Sequence, residues 1–269
     1  MPWTFAHPAA VLPLRRFCPA PLNFTALVIG SISPDLGYHL YRKDLALLGH
    51  SLQGSLLVCL PAGLLVLALL CLMRRPLWYL LPEPHRTAFS PLVVERLSIG
   101  PAAVFAAGVS IVLGAWTHIA WDALTHGNGW IVLRVPLLQA PLFRLGGYLF
   151  PVHHVLQHLS SYLGAAILVA AYRRWLRRAP LRVAGIQPED IPRRRLIIAC
   201  MAIAAAAGTS FGLAAAARYN GYWAWRVFLY FGAVDGVSVF AALYVSAAMI
   251  FYWMRRAAQD GLQAQKERP

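Results

Sequence analysis

Long apolar runs dominate the chain. Residues 55–73 are apolar almost throughout. Residues 101–124 form a second run, 152–172 a third, 196–217 a fourth and 227–254 a fifth. Each is near or above the roughly 20 residues that an α-helix needs to cross the hydrocarbon core of a bilayer. The pattern predicts an all-α, polytopic membrane bundle with about five transmembrane helices. Residues 23–33 are apolar too, but too short to span, which predicts a short half-buried or re-entrant helix ahead of the first span.

Composition agrees with this pattern. Of 269 residues, 59% are hydrophobic and 13% charged, with a mean hydropathy of +0.57. A soluble domain carries about 25% charged residues. The net charge of +14 could point to nucleic acid, but its distribution does not. Arg74, Arg75, Arg86 and Arg96 lie between the first two runs. Arg173, Arg174, Arg177, Arg178, Arg182, Arg193, Arg194 and Arg195 lie between the third and fourth, and Arg255, Arg256, Lys266 and Arg268 follow the fifth. Two spans separate each basic segment from the next, so all three fall on one side. The positive-inside rule makes that side cytoplasmic. The expected partner is therefore membrane lipid, with anionic-lipid contacts at the arginines, and not nucleic acid. No sequence feature speaks to oligomeric state.

The N-terminus does not read as a signal peptide, because Arg15 and Arg16 follow the first apolar stretch instead of preceding it. Cys18, Cys59, Cys71 and Cys200 form no C-x-x-C pair and read as small buried hydrophobes.

The histidines change the picture. With the basic segments cytoplasmic, residues 1–54, 125–151 and 218–226 are extracytoplasmic. Eight of the nine histidines (all but His85) then gather on that outer face. At the end of the second run, His118, Asp122 and His126 recur every four residues. That spacing is about 400° of rotation and about 6 Å of rise, so the three share one helix face. Such a set can hold a divalent ion; the alternative is a hydrogen bond between His118 and Asp122 that satisfies two interfacial groups. His154 and His158 repeat the spacing on the third run, where they either bind metal or face headgroups. His153 points about 100° away from His154.

Asp35 follows Gly30-Ser31-Ile32-Ser33-Pro34, and Pro34 aims it at a defined point; the alternative is a helix cap. His39 lies four residues later and either joins Asp35 or packs at the interface. His7 and His50 are weak alone and rest on their company. Asp235, inside the fifth run, reads as a buried interhelical hydrogen bond or a proton-relay group. No G-x-S-x-G, P-loop or dinucleotide fingerprint occurs, which leaves serine-hydrolase and nucleotide-driven readings unsupported. Within the single integral domain of 1–269, residues 1–175 thus read as a metal-site core. Residues 176–269 add two further spans and a basic tail.

Four blocks carry a resemblance: Met1–Ala10, Gly30–Asp35, His118–His126 and Leu156–Ser161. They resemble an uncharacterised bacterial multi-pass membrane family, a domain of unknown function. That family resembles inner-membrane metal-dependent hydrolases and, more remotely, the zinc phospholipase C and P1 nuclease superfamily. The resemblance implies residence in the bacterial inner membrane and a metal cluster. The ligands would be His7, Asp35, His50, His118, Asp122, His126, His154 and His158. It further implies phosphodiester hydrolysis by a metal-activated water. Two departures favour one or two metals over three: Met1 stands where the phospholipases expose a processed tryptophan, and His158 stands where they carry a glutamate.

The expected function is therefore a membrane-embedded hydrolase of a phosphate ester in a lipid or lipid-linked compound. Its cofactor would be a divalent metal: zinc, or else manganese or iron. Asp35 or Asp122 would bridge metals or accept a proton, and Arg134 and Arg144 would contact phosphate. The alternative is a metal or proton-coupled transporter, or a non-catalytic metal-binding membrane protein.

Overall fold

The computed structural model describes residues 4–94, 100–145, 147–179 and 190–266, with the side chains of 92–94 and 261–266 left aside. Met1, Pro2, Trp3, Arg96, Arg182 and Arg268 of the sequence argument lie outside the described residues. The helices are α1 (Pro8–Val11), α2 (Phe24–Ile32), α3 (Leu36–His39), α4 (Lys43–Gly49), α5 (Leu52–Tyr79, with one π-helical stretch at Ser55–Cys59), α6 (His85–Val94), α7 (Pro101–Thr125), α8 (Pro136–Gln139), α9 (Val152–Arg178), α10 (Asp190–Ala216) and α11 (Gly221–Lys266). Five of them, α5, α7, α9, α10 and α11, are long and apolar enough to cross a membrane, as a multi-pass membrane protein requires. Each contains one of the five apolar runs. Their outward faces carry bare hydrophobic side chains: Leu57 is 70% exposed, Leu72 79% and Phe105 74%. Water would penalise such a surface, whereas hydrocarbon accommodates it.

The spans outrun the apolar segments at their basic ends. Helix α5 continues through Arg74 and Arg75 to Tyr79, and α9 through Arg173 and Arg174 to Arg178. Arginine is a good helix former, and its long stem lets the charge reach the interface while the backbone stays helical. Helix starts follow local chemistry. Asn23 caps α2 by accepting from Ala26 N at 2.9 Å, Ser51 caps α5 by accepting from Gly54 N at 2.9 Å, and Pro101 opens α7 after Gly100.

The chain forms two compact units. The first comprises Met1–Leu69, Ser98–Trp175 and Asn220–Trp225. In it the short helix α2 lies directly on α7. A Cβ on Gly30 would sit 2.2 Å from Ile111 O, and one on Gly114 would sit 2.3 Å from Leu27 O. Both positions must be glycine for the backbones to approach this closely. Ala26, Ala107 and Ile111 form the core there, with Leu60, Leu64 and Leu67 against them. This contact fixes the height of α2 along α7, and with it the position of Ser31, Asp35 and His118.

After the second span the chain forms α8 and then an antiparallel hairpin of β1 (Pro141–Leu145) and β2 (Tyr148–Pro151). Gly147 turns the hairpin at φ +80°, and Phe143 stacks on Phe150. This hairpin is a small addition to an otherwise all-α fold.

The second unit comprises Leu70–Leu97, Leu176–Tyr219 and Arg226–Pro269. Helices α10 and α11 meet through Gly208, Gly212, Gly232 and Gly236. A Cβ on Gly208 would lie 2.5 Å from Gly232 O, and one on Gly212 would lie 2.7 Å from Phe228 O. Two small-x-x-x-small faces thus press together, a close-packing device common between membrane helices. Asp235 is buried in the same unit.

Candidate metal centre

Five predicted ligands converge in the first unit: His7, Asp35, His50, His118 and Asp122. Ligand atoms of His7, Asp35 and His118 all lie within 4.8 Å of one another, as do those of His50, His118 and Asp122. They come from four places in the chain. His7 precedes α1, Asp35 ends a 3₁₀ turn over Ser33–Asp35, His50 follows α4, and His118 and Asp122 occupy successive turns of α7.

In this cluster each anchored side chain is held by one atom and points another inwards. The His118 Nδ1 is 2.8 Å from Ser31 O, and the His50 Nδ1 is 2.7 Å from Ala46 O. A carbonyl only accepts, so both Nδ1 atoms carry the hydrogen. The Thr4 hydroxyl donates to Asp35 Oδ2 at 2.6 Å. Asp35 stands at the N-cap of α3, yet its side chain makes no capping bond there, so the cap alternative does not describe it. What remains are His50 Nε2, His118 Nε2, Asp35 Oδ1 and Asp122, all facing one another.

The separations are informative. His50 Nε2 lies 3.4 Å from Asp35 Oδ1 and 3.4 Å from Asp122 Oδ2. His118 Nε2 lies 3.4 Å from Asp122 Oδ2 and 3.8 Å from Asp35 Oδ1, and His7 Nε2 lies 3.7 Å from Asp122 Oδ1. Charge-assisted N–H···O bonds are shorter, about 2.7–2.9 Å. Donor atoms about 2.0–2.2 Å from one tetrahedral ion would be about 3.3–3.6 Å from each other. His7 Nε2, His118 Nε2, Asp35 Oδ1 and Asp122 Oδ1 are shielded from solvent and have no hydrogen-bond partner. Buried polar atoms almost always have one, so four in one spot mark a place where a cation fits. The donor set of imidazole and carboxylate suits a divalent ion of the first transition row.

The electrostatics agree. Burial, and then the neighbouring His118, push the His7 imidazole down to about 3, which keeps it in the neutral form a metal needs. Its ring stacks on His118 with centroids 3.7 Å apart. At His50 burial opposes a charge, but the Asp122 and Asp35 carboxylates facing Nε2 outweigh it and carry the group up to about 10. Burial works against the Asp35 carboxylate as well, but His50, His118 and Thr4 hold it below its ordinary range. Two buried carboxylates thus demand compensating positive charge, which either protonated histidines or one divalent cation would supply.

His126 stands at the rim. Its Nδ1 is 3.3 Å from Asp122 Oδ1, and its Nε2 is 3.0 Å from Gln157 Nε2. An amide nitrogen donates, so the ring's Nε2 accepts and its hydrogen sits on Nδ1, towards Asp122. His126 is thereby set to orient Asp122, with burial keeping it below its ordinary value. Gln157, which the spacing argument passed over, is the residue next to His158 and shares a helix face with His154 and Ser161. Tyr38 was also passed over; its ring lies 6.1 Å from that of His50.

His154 and His158 are in neither set of converging ligand atoms. Their rings are 5.0 Å apart, and the Tyr222 hydroxyl lies 3.2 Å from His154 Nε2 in a nest of Tyr148, Phe150 and Tyr222. His153 turns to Leu138 O at 2.9 Å, and His39 lies by Phe5. Arg134 donates to Trp130 O at 2.9 Å, and Arg144 sits on the exposed strand β1. Neither arginine contacts the five-residue cluster among the described residues.

The architecture is that of a helical protein with five membrane-length spans and a buried His/Asp cluster at the end of the second. The chain belongs to the DUF4184 family, a domain of unknown function, which matches residues 1–253. Neither a curated protein nor a solved structure matches it.

Proposed function

We propose that the protein is a membrane-embedded metal-dependent hydrolase of a phosphate ester in a lipid or lipid-linked substrate. The observation that carries this reading is the convergence of four partnerless buried donor atoms from His7, Asp35, His118 and Asp122. His7, Asp35, His50, His118 and Asp122 would hold one divalent ion or a bridged pair. Zinc is the first choice, with manganese or iron next. Such an ion supplies two things when bound: a water acidified towards neutrality, and positive charge for a phosphoryl group.

The residues divide the remaining work by exposure. The Asp35 side chain is 2% exposed and tethered by Thr4, which suits a fixed ligand. The Asp122 side chain is 13% exposed and that of His50 23%, so the cluster opens on their side. Asp122, oriented by His126, is the carboxylate placed to accept a proton from water. Arg134 and Arg144 do not reach the cluster, so a bound ion would have to supply the positive charge there. With the basic segments read as cytoplasmic by the positive-inside rule, the cluster would lie on the extracytoplasmic side of a bacterial inner membrane.

The test is elemental analysis of purified protein, with His118→Ala and Asp122→Ala alongside, followed by assay of phospholipid diesters and phosphomonoesters. We expect a divalent metal that both variants lose, and ester hydrolysis by the loaded protein alone. Unchanged metal in both variants would overturn the site. Bound metal with metal flux into proteoliposomes and no hydrolysis would favour the transporter.

A further inference from the structure

A groove with a cavity volume of about 190 Å³ runs beside the cluster, between the N-terminal segment and spans α7 and α9. His7 lines one end of it. Along α9 its wall changes character: Ser160 and Ser161 come first, then Leu163, Gly164 and Ile167. The two hydroxyls donate to Gln157 O, and Gln157 also reaches His126. The polar end of the groove is therefore the cluster end. From Ser161 to Ile167 the wall descends six residues, or about 9 Å, into the span. Trp121 flanks the mouth and donates to Ser160 Oγ at 3.1 Å. Gly164 has no side chain to fill the groove, and Ala6 closes over it: an added Cβ would stand 3.0 Å from Ala6 O.

We propose that this groove holds a single acyl chain of a lipid, with the chain's carbonyl end beside Ser160 and Ser161 and its headgroup at the His7 end. The proposal rests on the hydrolase reading of that cluster and names the part of the substrate that the cluster does not touch. Three features select the occupant. Two of the groove's walls belong to membrane-length helices, α7 and α9, so lipid tails reach it along them. Its volume is below the roughly 300–1,000 Å³ of sites for drug-sized ligands, which suits a slender segment of chain. Its polarity runs in one direction, from hydroxyls at the cluster to hydrocarbon in the span, as an ester-linked chain requires.

The probe is phosphatidylglycerol bearing a diazirine about seven carbons from the carbonyl of one acyl chain, which matches the depth of Ile167 below Ser161, incorporated with the full-length protein in lipid nanodiscs. After irradiation, adducts are mapped by mass spectrometry. Adducts should concentrate several-fold on Leu163 and Ile167, which are 58% and 42% exposed, over Leu159 and Tyr162, which are 60% and 70% exposed on the same helix, so exposure alone does not produce the concentration. Ile167→Trp and Ala10→Phe should each abolish the concentration while bound metal stays unchanged. Even labelling of the exposed and groove positions overturns the groove. Concentrated labelling in a protein that binds no metal keeps the chain site but overturns the hydrolase reading.

Discussion

At the start of α10, Asp190 and Arg193 are as buried as Asp35 and His118 are in the other unit, yet their surroundings differ in kind. Asp190 Oδ2 accepts from Glu83 N at 3.3 Å, and Asp190 Oδ1 is 3.4 Å from Arg193 Nη1. Arg193 Nε donates to Tyr79 O at 3.0 Å, and its guanidinium lies over the Tyr79 and Phe251 rings. Glu83 is bound by Arg86 at 2.9 Å and by Thr87 N at 3.1 Å. Acid faces base, and each carboxylate meets a donor. In the first unit, the Nε2 atoms of His7 and His118 and the Oδ1 atoms of Asp35 and Asp122 are buried together with no hydrogen-bond partner. The first arrangement pairs its acids with donors and ties chain segments together. The second leaves four buried atoms unsatisfied, as a site that takes a cation would. Burial and charge alone do not separate structural from ligand clusters; satisfaction of the individual atoms does.

The largest effect should come from removing the ligand set. Asp35→Ala combined with His118→Ala should leave purified protein without bound zinc by elemental analysis, and retained stoichiometric zinc would collapse the distinction between the clusters. Next is Asp190→Ala, which strands Arg193 as a buried unpaired charge. Breaking such a pair costs about 3–5 kcal/mol. Denaturant unfolding in detergent micelles should read that loss, with metal content unchanged; loss of metal instead would mean that the staple serves the site.

Thr4→Val probes the support of Asp35 without touching an inward-facing atom. Supporting residues of this kind affect metal affinity by about 10–100-fold. Competition with a calibrated chelator should show a weakening in that range, and an unchanged affinity would remove Thr4 from the design of the site. The smallest effect is expected from His154→Phe, which keeps the ring stack on Phe150 but loses the Tyr222 contact. One neutral hydrogen bond is worth about 1 kcal/mol. Zinc content should not change; if it falls, His154 belongs with the ligands after all.

The five spans were legible because a bilayer imposes a simple rule of length and polarity on each segment independently. The helix-borne pair His118 and Asp122 was legible for a related reason, since spacing along one helix fixes which side chains share a face. The same rule singled out His154 and His158, whose spacing is identical but whose ring atoms turn to Tyr222 and to one another. Spacing says that two side chains are neighbours; it does not say what third group completes their surroundings. Gln157 and the Ser31 carbonyl carry no signal in a search for ligand residue types. A backbone oxygen can serve at any position, and an amide is ordinary on a helix surface.

The sequence alone determined the membrane-length helices, the gathering of basic residues in three segments, and the candidate donors by type. These follow from local composition and from helical periodicity, which need no knowledge of contacts. Tertiary structure alone decided which donors meet. His7, Asp35, His50 and the α7 pair are separated by up to 115 positions and are brought together where α2 rests on α7 at Gly30 and Gly114. That close crossing sets Ser31 O against His118 and thereby chooses which imidazole nitrogen faces inwards. The choice depends on sub-ångström placement of one backbone against another, a quantity that no pattern along a single segment encodes.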